Sequence, residues 1–239
     1  MNGYETQDLF ALLAGNRYPG RGIVTGLTED GQYAVAAYFI MGRSANSRNR
    51  VFRRLPDGTV LTAPFDESKV EDPSLIIYNA VRSQNGRLIV TNGDQTDTIY
   101  EGLSAGKSFS ESLTSRCFEP DAPNFTPRIS ALLSFDGGYS YQMSILKSAD
   151  AQGSACARYT FCYPALPGVG HFLHTYRCDG NPIPTFSGEP ERVAIEGGLE
   201  EFADRLWDSL DEANKISLYV RFVRLADGDV QEKLINKYN

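Results

Sequence analysis

The sequence predicts an α+β protein in which antiparallel sheets are covered by helices. Two observations carry that expectation. Three hairpin signals follow one another between Gly22 and Asn92, and segments with helical periodicity are few and widely spaced. The chain is also large enough for such an architecture: its 239 residues, 41% hydrophobic and 22% charged, match an ordinary folded protein that buries a substantial core.

Taken in order, Thr6 to Ala14 reads as a short helix stopped at Gly15. "GIVTG" and "YAVAAYFIM" then flank "LTEDGQ", whose Asp30-Gly31 pair favours a tight hairpin turn. "VFRRL" and "VLTA" flank "PDGT" in the same manner, and "SLIIYNAVR" and "RLIVTN" flank "SQNG". From Asp94 to about Ser115 the residues suit one or two short helices, with Thr96, Ser108 or Ser110 available as caps. Strands resume with "RISALLSF", "YSYQMSIL", "CARYTFCYP" and "GHFLHTYRC". Between Glu196 and Ala213, the apolar residues Leu199, Phe202, Leu206 and Leu210 recur at helical spacing and predict an amphipathic helix. "ISLYVRFVRL" reads as a late strand and "DVQEKLINKY" as a closing helix. No repeat or Pro/Ser-rich linker interrupts the chain, so residues 1–239 are expected to form one domain, ending in a helix–strand–helix extension over 201–239.

Several function classes lose support from composition alone. No apolar run approaches the length that spans a bilayer. "MNGYETQDLF", with Glu5 and Asp8, lacks the basic start and apolar stretch of a secretory leader, so a cytoplasmic protein is expected. Cys117, Cys156, Cys162 and Cys178 show no zinc spacing and read as reduced thiols. His171 and His174 have no evident third ligand and read as sheet residues rather than a metal site. No P-loop, GxGxxG or GxSxG motif is present. The net charge of -7 argues against a nucleic-acid binder. It leaves room for a small anion, because a local cluster reverses the field within a Debye length of about 8 Å.

Such a cluster exists. "GRSANSRNRVFRR" carries Arg43, Arg48, Arg50, Arg53 and Arg54 without an acid. Guanidinium forks match phosphate oxygens, and Ser44, Asn46, Ser47 and Asn49 add donors, although a solvated basic loop has the same composition. In "NRYPGRG", Pro19 and Gly20 turn the chain and aim Arg21 beside a strand end. Strand alternation in "IIYNAVR" puts Tyr78, Ala80 and Arg82 on one face and Asn79 and Val81 on the other. Its partner "IVTNGDQTD" ends in a dense polar group, Asn92, Asp94, Gln95 and Asp97. "CFEPDAPNFTPRI" holds Glu119 and Asp121 on a loop stiffened by three prolines and closed by Arg128; a stiff loop suits a positioned acid or base, and equally a surface connection.

In this order, "YPGRG", "GRSANSRNR", "IIYNAVR", "TNGDQTD" and "TPRI", followed by "GHFLHTY" and "SGE", resemble the archaeal-type IMP cyclohydrolase family from about Tyr18 to Glu200. The resemblance implies a four-layer αββα fold like that of the N-terminal-nucleophile hydrolases, without their self-processing chemistry. It implies ring closure of 5-formamidoimidazole-4-carboxamide ribonucleotide to inosine monophosphate and water, with no cofactor and no metal. By the same resemblance Tyr78 and Glu119 take acid/base and orienting roles, and Arg21, Arg43, Asn49 and Arg50 take phosphate and ribose. Asn79, Arg82, Asn92, Asp94, Asp97 and Arg128 line the base or support those that do. The implied partner is a small-molecule ribonucleotide, with neither nucleic acid nor membrane, and a homo-oligomer is compatible with the sequence. Two alternatives stand beside this reading: an amide or formamide hydrolase acting on a related ribonucleotide, and a nucleotide-binding protein.

Overall fold

A computed structural model describes residues 4–70 and 77–238. The chain opens with α1 (Leu9–Ala14), which starts where the Asp8 carboxylate accepts the amides of Phe10 and Ala11 and ends at Gly15. It is shorter than the sequence suggested, because Gln7 is drawn into a bridge with Val193. β1 (Arg21–Leu27) and β2 (Tyr33–Met41) form the first hairpin, with Gly31 at φ +70° in its turn. After the one-turn helix α2 (Ala45–Arg48) comes the second hairpin, β3 (Val51–Arg54) and β4 (Val60–Ala63).

β5 (Tyr78–Gln84) and β6 (Arg87–Thr91) make the third hairpin, and the start of its first strand, Ser74 to Ile76, lies outside the described residues. Asn85 and Gly86 both have positive φ, the backbone that matches strand twist in a two-residue turn. α3 (Gln95–Ser104) follows with Asp94 before it; Thr96 is not its cap but sits inside, its hydroxyl 2.6 Å from that of Thr91. Ser108 and Glu111 form a capping box on α4 (Phe109–Ser112).

The remaining elements are β7 (Arg128–Ser134), β8 (Ser140–Ser148), β9 (Cys156–Pro164), β10 (Val169–His174), β11 (Glu191–Ala194), α5 (Leu199–Ser209), β12 (Lys215–Arg224) and β13 (Val230–Asn236). β13 corrects the expected closing helix. "QEKL" has good helix formers, but Gly228 at φ +76° turns the chain back so that Val223 pairs Val230 and Ser217 pairs Asn236 along β12. Pairing rewards alternation here. Leu234 packs into the core between the sheets and Ile235 into the core under the helices, while Glu232 takes hydrogen bonds from Tyr219 and Arg221. Tertiary partners outweigh intrinsic propensity.

The strands form two antiparallel sheets in the orders β11-β10-β1-β2-β12-β13 and β3-β4-β5-β6-β7-β8-β9. Three buried clusters give the layering. Leu9, Phe10, Phe202 and Leu206 of α1 and α5 pack on Val24, Phe39, Leu218 and Val220 of the first sheet. Ile23, Tyr38 and Tyr219 of that sheet meet Tyr78, Val90, Ile129 and Met143 of the second. Ile99, Leu103 and Phe109 of α3 and α4 cover Ile89, Leu132 and Leu146 on its outer face. The order is therefore helix, sheet, sheet, helix, as the resemblance implied. No helix among the described residues is long and apolar enough to cross a membrane.

One irregularity in β5 decides which of its side chains reach which layer. Val60 pairs Val81 but Leu61 pairs Asn79, so Ala80 is an extra residue, a β-bulge. The bulge shifts the side-chain alternation by one. Tyr78 and Val81 face the core between the sheets, whereas Asn79 and Arg82 both face α3. The expected sharing of one face by Tyr78 and Arg82 is corrected accordingly.

Candidate active site

At one end of the sandwich a cavity of about 330 Å³ opens between the start of β1, the loop after β2 and the loop before β7. Each wall is built by a local device. Gly20, at φ +79°, lets the chain pass tight against Thr175 and Tyr176; a Cβ there would lie 2.2 Å from the Thr175 hydroxyl. The Thr175 hydroxyl in turn accepts the Arg21 amide at 3.1 Å, which fixes where the Arg21 side chain begins.

The arginine segment folds on itself before it reaches the cavity. Ser44 and Ser47 cap α2 reciprocally, Arg48 donates to the Gly42 carbonyl, and Asn49 exchanges two hydrogen bonds with the backbone of Asp66. Asn49 is thus occupied in holding the loop, and Arg50 beside it is delivered to the cavity. Arg54 leaves in another direction to pair with Glu232.

The Glu119 loop is stiff. The Glu119 amide donates to the Thr126 carbonyl at 2.9 Å, closing the loop at its neck. Asp121 accepts the Thr126 amide at 2.6 Å and the Thr126 hydroxyl at 2.5 Å, and that hydroxyl also meets the Tyr176 phenol at 2.5 Å. Phe118 and Phe125 pack edge to face beneath it.

Three predicted residues, Arg21, Arg50 and Glu119, meet at the cavity, and a fourth, Tyr78, lies behind them within electrostatic reach of both arginines; all four are under 9% exposed. Arg21 Nη2 lies 3.7 Å from Glu119 Oε2. Burial works most strongly against the Arg21 charge, but Glu119 together with the phenols of Tyr176, Tyr18 and Tyr78 outweighs it and holds the guanidinium above its ordinary pKa. Burial pushes the Glu119 carboxyl up, with Arg21 and Arg128 opposing. Arg50 is pulled down, first by burial and then by the neighbouring Arg21 charge. Arg50 makes no hydrogen bond or ion pair among the described residues, and its Nε and that of Arg21 are buried without partners. The Tyr78 phenol contacts that of Tyr38 at 2.8 Å; burial pushes Tyr38 far above the usual phenol range, so Tyr38 stays protonated. Arg43 stands at the mouth, more than a third exposed, bonded to Asp179 and Gly180 and lying 5.1 Å over the Tyr18 ring.

Buried cations without counter-charge are costly and mark a place where a ligand supplies the missing charge or dipole. A carboxyl and a phenol beside them can exchange protons with whatever binds.

The family model described as IMP cyclohydrolase-like protein matches residues 18–228. The chain belongs to this family. It is similar to the IMP cyclohydrolase of Methanococcus maripaludis strain C6, 35% identical over 126 residues, which is 51% of this chain and 61% of that protein. The IMP cyclohydrolase of Methanocaldococcus jannaschii is 32% identical over 117 residues, 48% of this chain and 56% of its own length. That of Methanococcus aeolicus is 28% identical over 184 residues, covering 75% of this chain and 82% of the relative.

In this IMP cyclohydrolase-like chain the other predicted residues stand behind the cavity. Asn92, Asp94 and Arg128 join the end of β6, the start of α3 and the start of β7. Asn92 Nδ2 donates to the Pro127 carbonyl at 2.8 Å and its Oδ1 accepts the Ile129 amide at 2.8 Å. Arg128 donates to Gln95 at 2.8 Å and pairs with Asp94 at 2.7 Å, while Arg116 also pairs with Asp94. This hub anchors the strand that follows the Glu119 loop. Asn79, Arg82 and Asp97 lie on the far side of the second sheet: Asp97 accepts from Arg82 at 2.7 Å and Asn79 at 3.0 Å, and Arg82 stacks on Tyr100 at 3.6 Å.

Tyr38, Thr126 and Tyr176 escaped the sequence reading. Alternation in "YAVAAYFIM" puts Tyr38 on the face shared by Ala36 and Ile40, a core signal that does not reveal a phenol waiting on the other sheet. A larger cleft of about 680 Å³ lies at the opposite end, near Ser83, Tyr139 and Leu225. Its buried arginine, Arg221, is paired with Glu232 at 3.1 Å and bonded to Ser83 and Gly58. Among the described residues no unpaired buried charge lines it, which leaves the smaller cavity as the candidate site.

Proposed function

We propose that this protein is an IMP cyclohydrolase acting as one domain in the cytoplasm, closing 5-formamidoimidazole-4-carboxamide ribonucleotide to inosine monophosphate with release of water. One observation carries the reading: Arg21, Arg50 and Glu119, from separate segments, converge on a single cavity with one guanidinium left unpaired and the Tyr78 phenol within electrostatic reach of both arginines. The family match and the relatives' names support it.

The chemistry asks for little beyond placement and proton transfer. The carboxamide nitrogen attacks the formyl carbon, one of its protons moves to the formyl oxygen, and a tetrahedral carbinol results. Hydroxide then departs with the proton of the former formamide nitrogen, whose electron pair forms the new C=N bond. Holding the two groups in contact replaces a bimolecular encounter. Glu119, with its raised pKa, takes the proton from the attacking nitrogen and returns it to the oxygen. Tyr78, held by Tyr38, orients the formyl group. Arg43 and the floor arginines supply the positive field for the anionic substrate. Asn49, Asn79, Arg82, Asn92, Asp94, Asp97 and Arg128 hold these elements in place.

The test is incubation of the pure protein with the formamido ribonucleotide in chelated buffer, following products by chromatography. Inosine monophosphate is expected. Free amine plus formate would replace ring closure by formamide hydrolysis, and tight binding without turnover would leave a nucleotide-binding protein.

A further inference from the structure

We infer that Cys117 and Cys156 are a reversible disulfide site, oxidised by small-molecule disulfides, and that the bond staples the Glu119 loop to β9. The inference is independent of the reaction performed in the cavity.

Hydrogen bonds to the backbone bring the two residues together. Arg158, two residues along β9 from Cys156, donates through Nη1 to the Cys156 carbonyl at 3.2 Å. Its Nη2 donates to the Arg116 carbonyl at 2.7 Å and to the Thr114 carbonyl at 3.4 Å. One guanidinium therefore ties the start of β9 to the segment that ends in Cys117. Leu113, at the head of that segment, belongs to the same buried cluster on which Cys156 packs. The side chains complete the approach: the Cys156 thiol lies within interaction distance of the Cys117 thiol and of the Phe118 amide. Both cysteines are free, Cys117 exposed and Cys156 half-buried. Cys162 stands six residues farther along β9, about 20 Å away at about 3.4 Å per residue, too far to bridge to Cys156.

Position gives the bond its consequence. Cys117 precedes Phe118, which packs on Phe125, and Glu119, whose amide closes the neck of the loop on the Thr126 carbonyl. On its other side Arg116 pairs with Asp94. A disulfide here replaces a contact between thiols by a covalent link beside the Glu119 loop. It also closes a long stretch of chain, from 117 to 156, and so restricts the unfolded state.

The exchange balances without any group from the cavity. Cys117, the exposed thiol, loses its proton and attacks one sulfur of a small disulfide, RSSR. That S–S bond breaks, and the departing sulfur takes up the proton as RSH. Cys156 then loses its proton and attacks the Cys117 sulfur of the mixed disulfide, expelling the second RSH. Two protein thiols are oxidised and one small disulfide is reduced to two thiols. Burial, and then the neighbouring Cys117, hold the Cys156 thiol above its ordinary pKa, which makes Cys117 the first to react. Where the surroundings keep thiols reduced, a pair of this kind opens again.

The experiment equilibrates the folded protein with reduced and oxidised glutathione, quenches with N-ethylmaleimide and maps the peptides by mass spectrometry. Wild type should yield a peptide cross-linked between 117 and 156, and dithiothreitol should remove it. Without reductant, Tm of the cross-linked protein should rise by about 5 °C or more. Cys156→Ser should halt at a glutathione adduct on Cys117 with no such rise, whereas Cys162→Ser should behave as wild type. The absence of the cross-link in wild type, a different pairing in its place, or a cross-link that forms only in urea would overturn the inference. So would a cross-linked protein whose Tm is unchanged. The wild-type readouts decide the matter even if a serine variant folds poorly.

Discussion

Asp97→Ala separates a ligand-lining role from a structural one. In the structure Asp97 accepts from Arg82 at 2.7 Å and from Asn79 at 3.0 Å, and so clamps α3 to β5 on the face opposite the cavity. The Asp97 and Arg82 side chains are 42% and 25% exposed, so the ion pair is solvent-screened and worth no more than about 1 kcal/mol. The amide hydrogen bond contributes about 1 kcal/mol more. Arg82 keeps its stack on Tyr100, which limits the damage. The variant should therefore lose about 1–2 kcal/mol. At roughly 2–4 °C per kcal/mol for a chain of this size, calorimetry should show Tm lower by about 2–8 °C. Turnover of the formamido ribonucleotide should stay within about twofold, because none of the three residues reaches the cavity. A tenfold rise in KM with an unchanged Tm would refute this placement of the cluster.

Tyr38→Phe removes the partner of the Tyr78 phenol; kcat should fall about tenfold, equivalent to about 1.4 kcal/mol, with KM little changed, and an unaltered kcat would remove the pair from the chemistry. Burial pushes Glu119 above the ordinary carboxylate range, so kcat/KM should fall as pH drops through that raised value; an acid limb at or below pH 4, or one retained in Glu119→Gln, would count against Glu119 as the proton acceptor. Burial lowers His171 and His174 to about 4, so the unfolded chain binds their protons first, and stability is full above pH 6.5 and lost as pH falls toward 4. The loss should reach about 3 kcal/mol per histidine at the acid end, read as a falling urea midpoint, and a flat midpoint over that window would contradict the burial of both rings. Glu232→Ala leaves Arg221 buried and unpaired; it should cost about 3 kcal/mol by urea unfolding, whereas a helical C-terminal segment would predict almost none.

Much of this fold could be read from turn chemistry. Asp30-Gly31, Asp57-Gly58 and Asn85-Gly86 each lie in a hairpin turn, and their glycines all take positive φ. The spacing of Phe202 and Leu206 likewise identified the helix that covers the first sheet. The misses have physical causes. β13 was hidden because its helix-forming residues are recruited by a neighbouring strand, which single-segment propensity does not register. The bulge at Ala80 was hidden because strict alternation is an assumption about regular strands. At the site, arginine density and a proline-stiffened carboxylate pointed to Arg21, Arg50 and Glu119, since unusual charge survives as a local signal. Thr126 and Tyr176 gave none: their part is a three-way contact with Asp121 that exists only after distant segments meet.

The extra residue in β5 couples two regions that a regular strand would keep separate in design. Were Ala80 paired in regular register, a strand of uniform phase that kept Tyr78 on Tyr38 would swing Arg82 toward the interior, where its acid cannot follow. A strand that kept Arg82 on α3 would carry the phenol away from Tyr38. Strain or loosening at α3 therefore has a short mechanical route, a few peptide units long, to the Tyr78 hydroxyl and its Tyr38 partner.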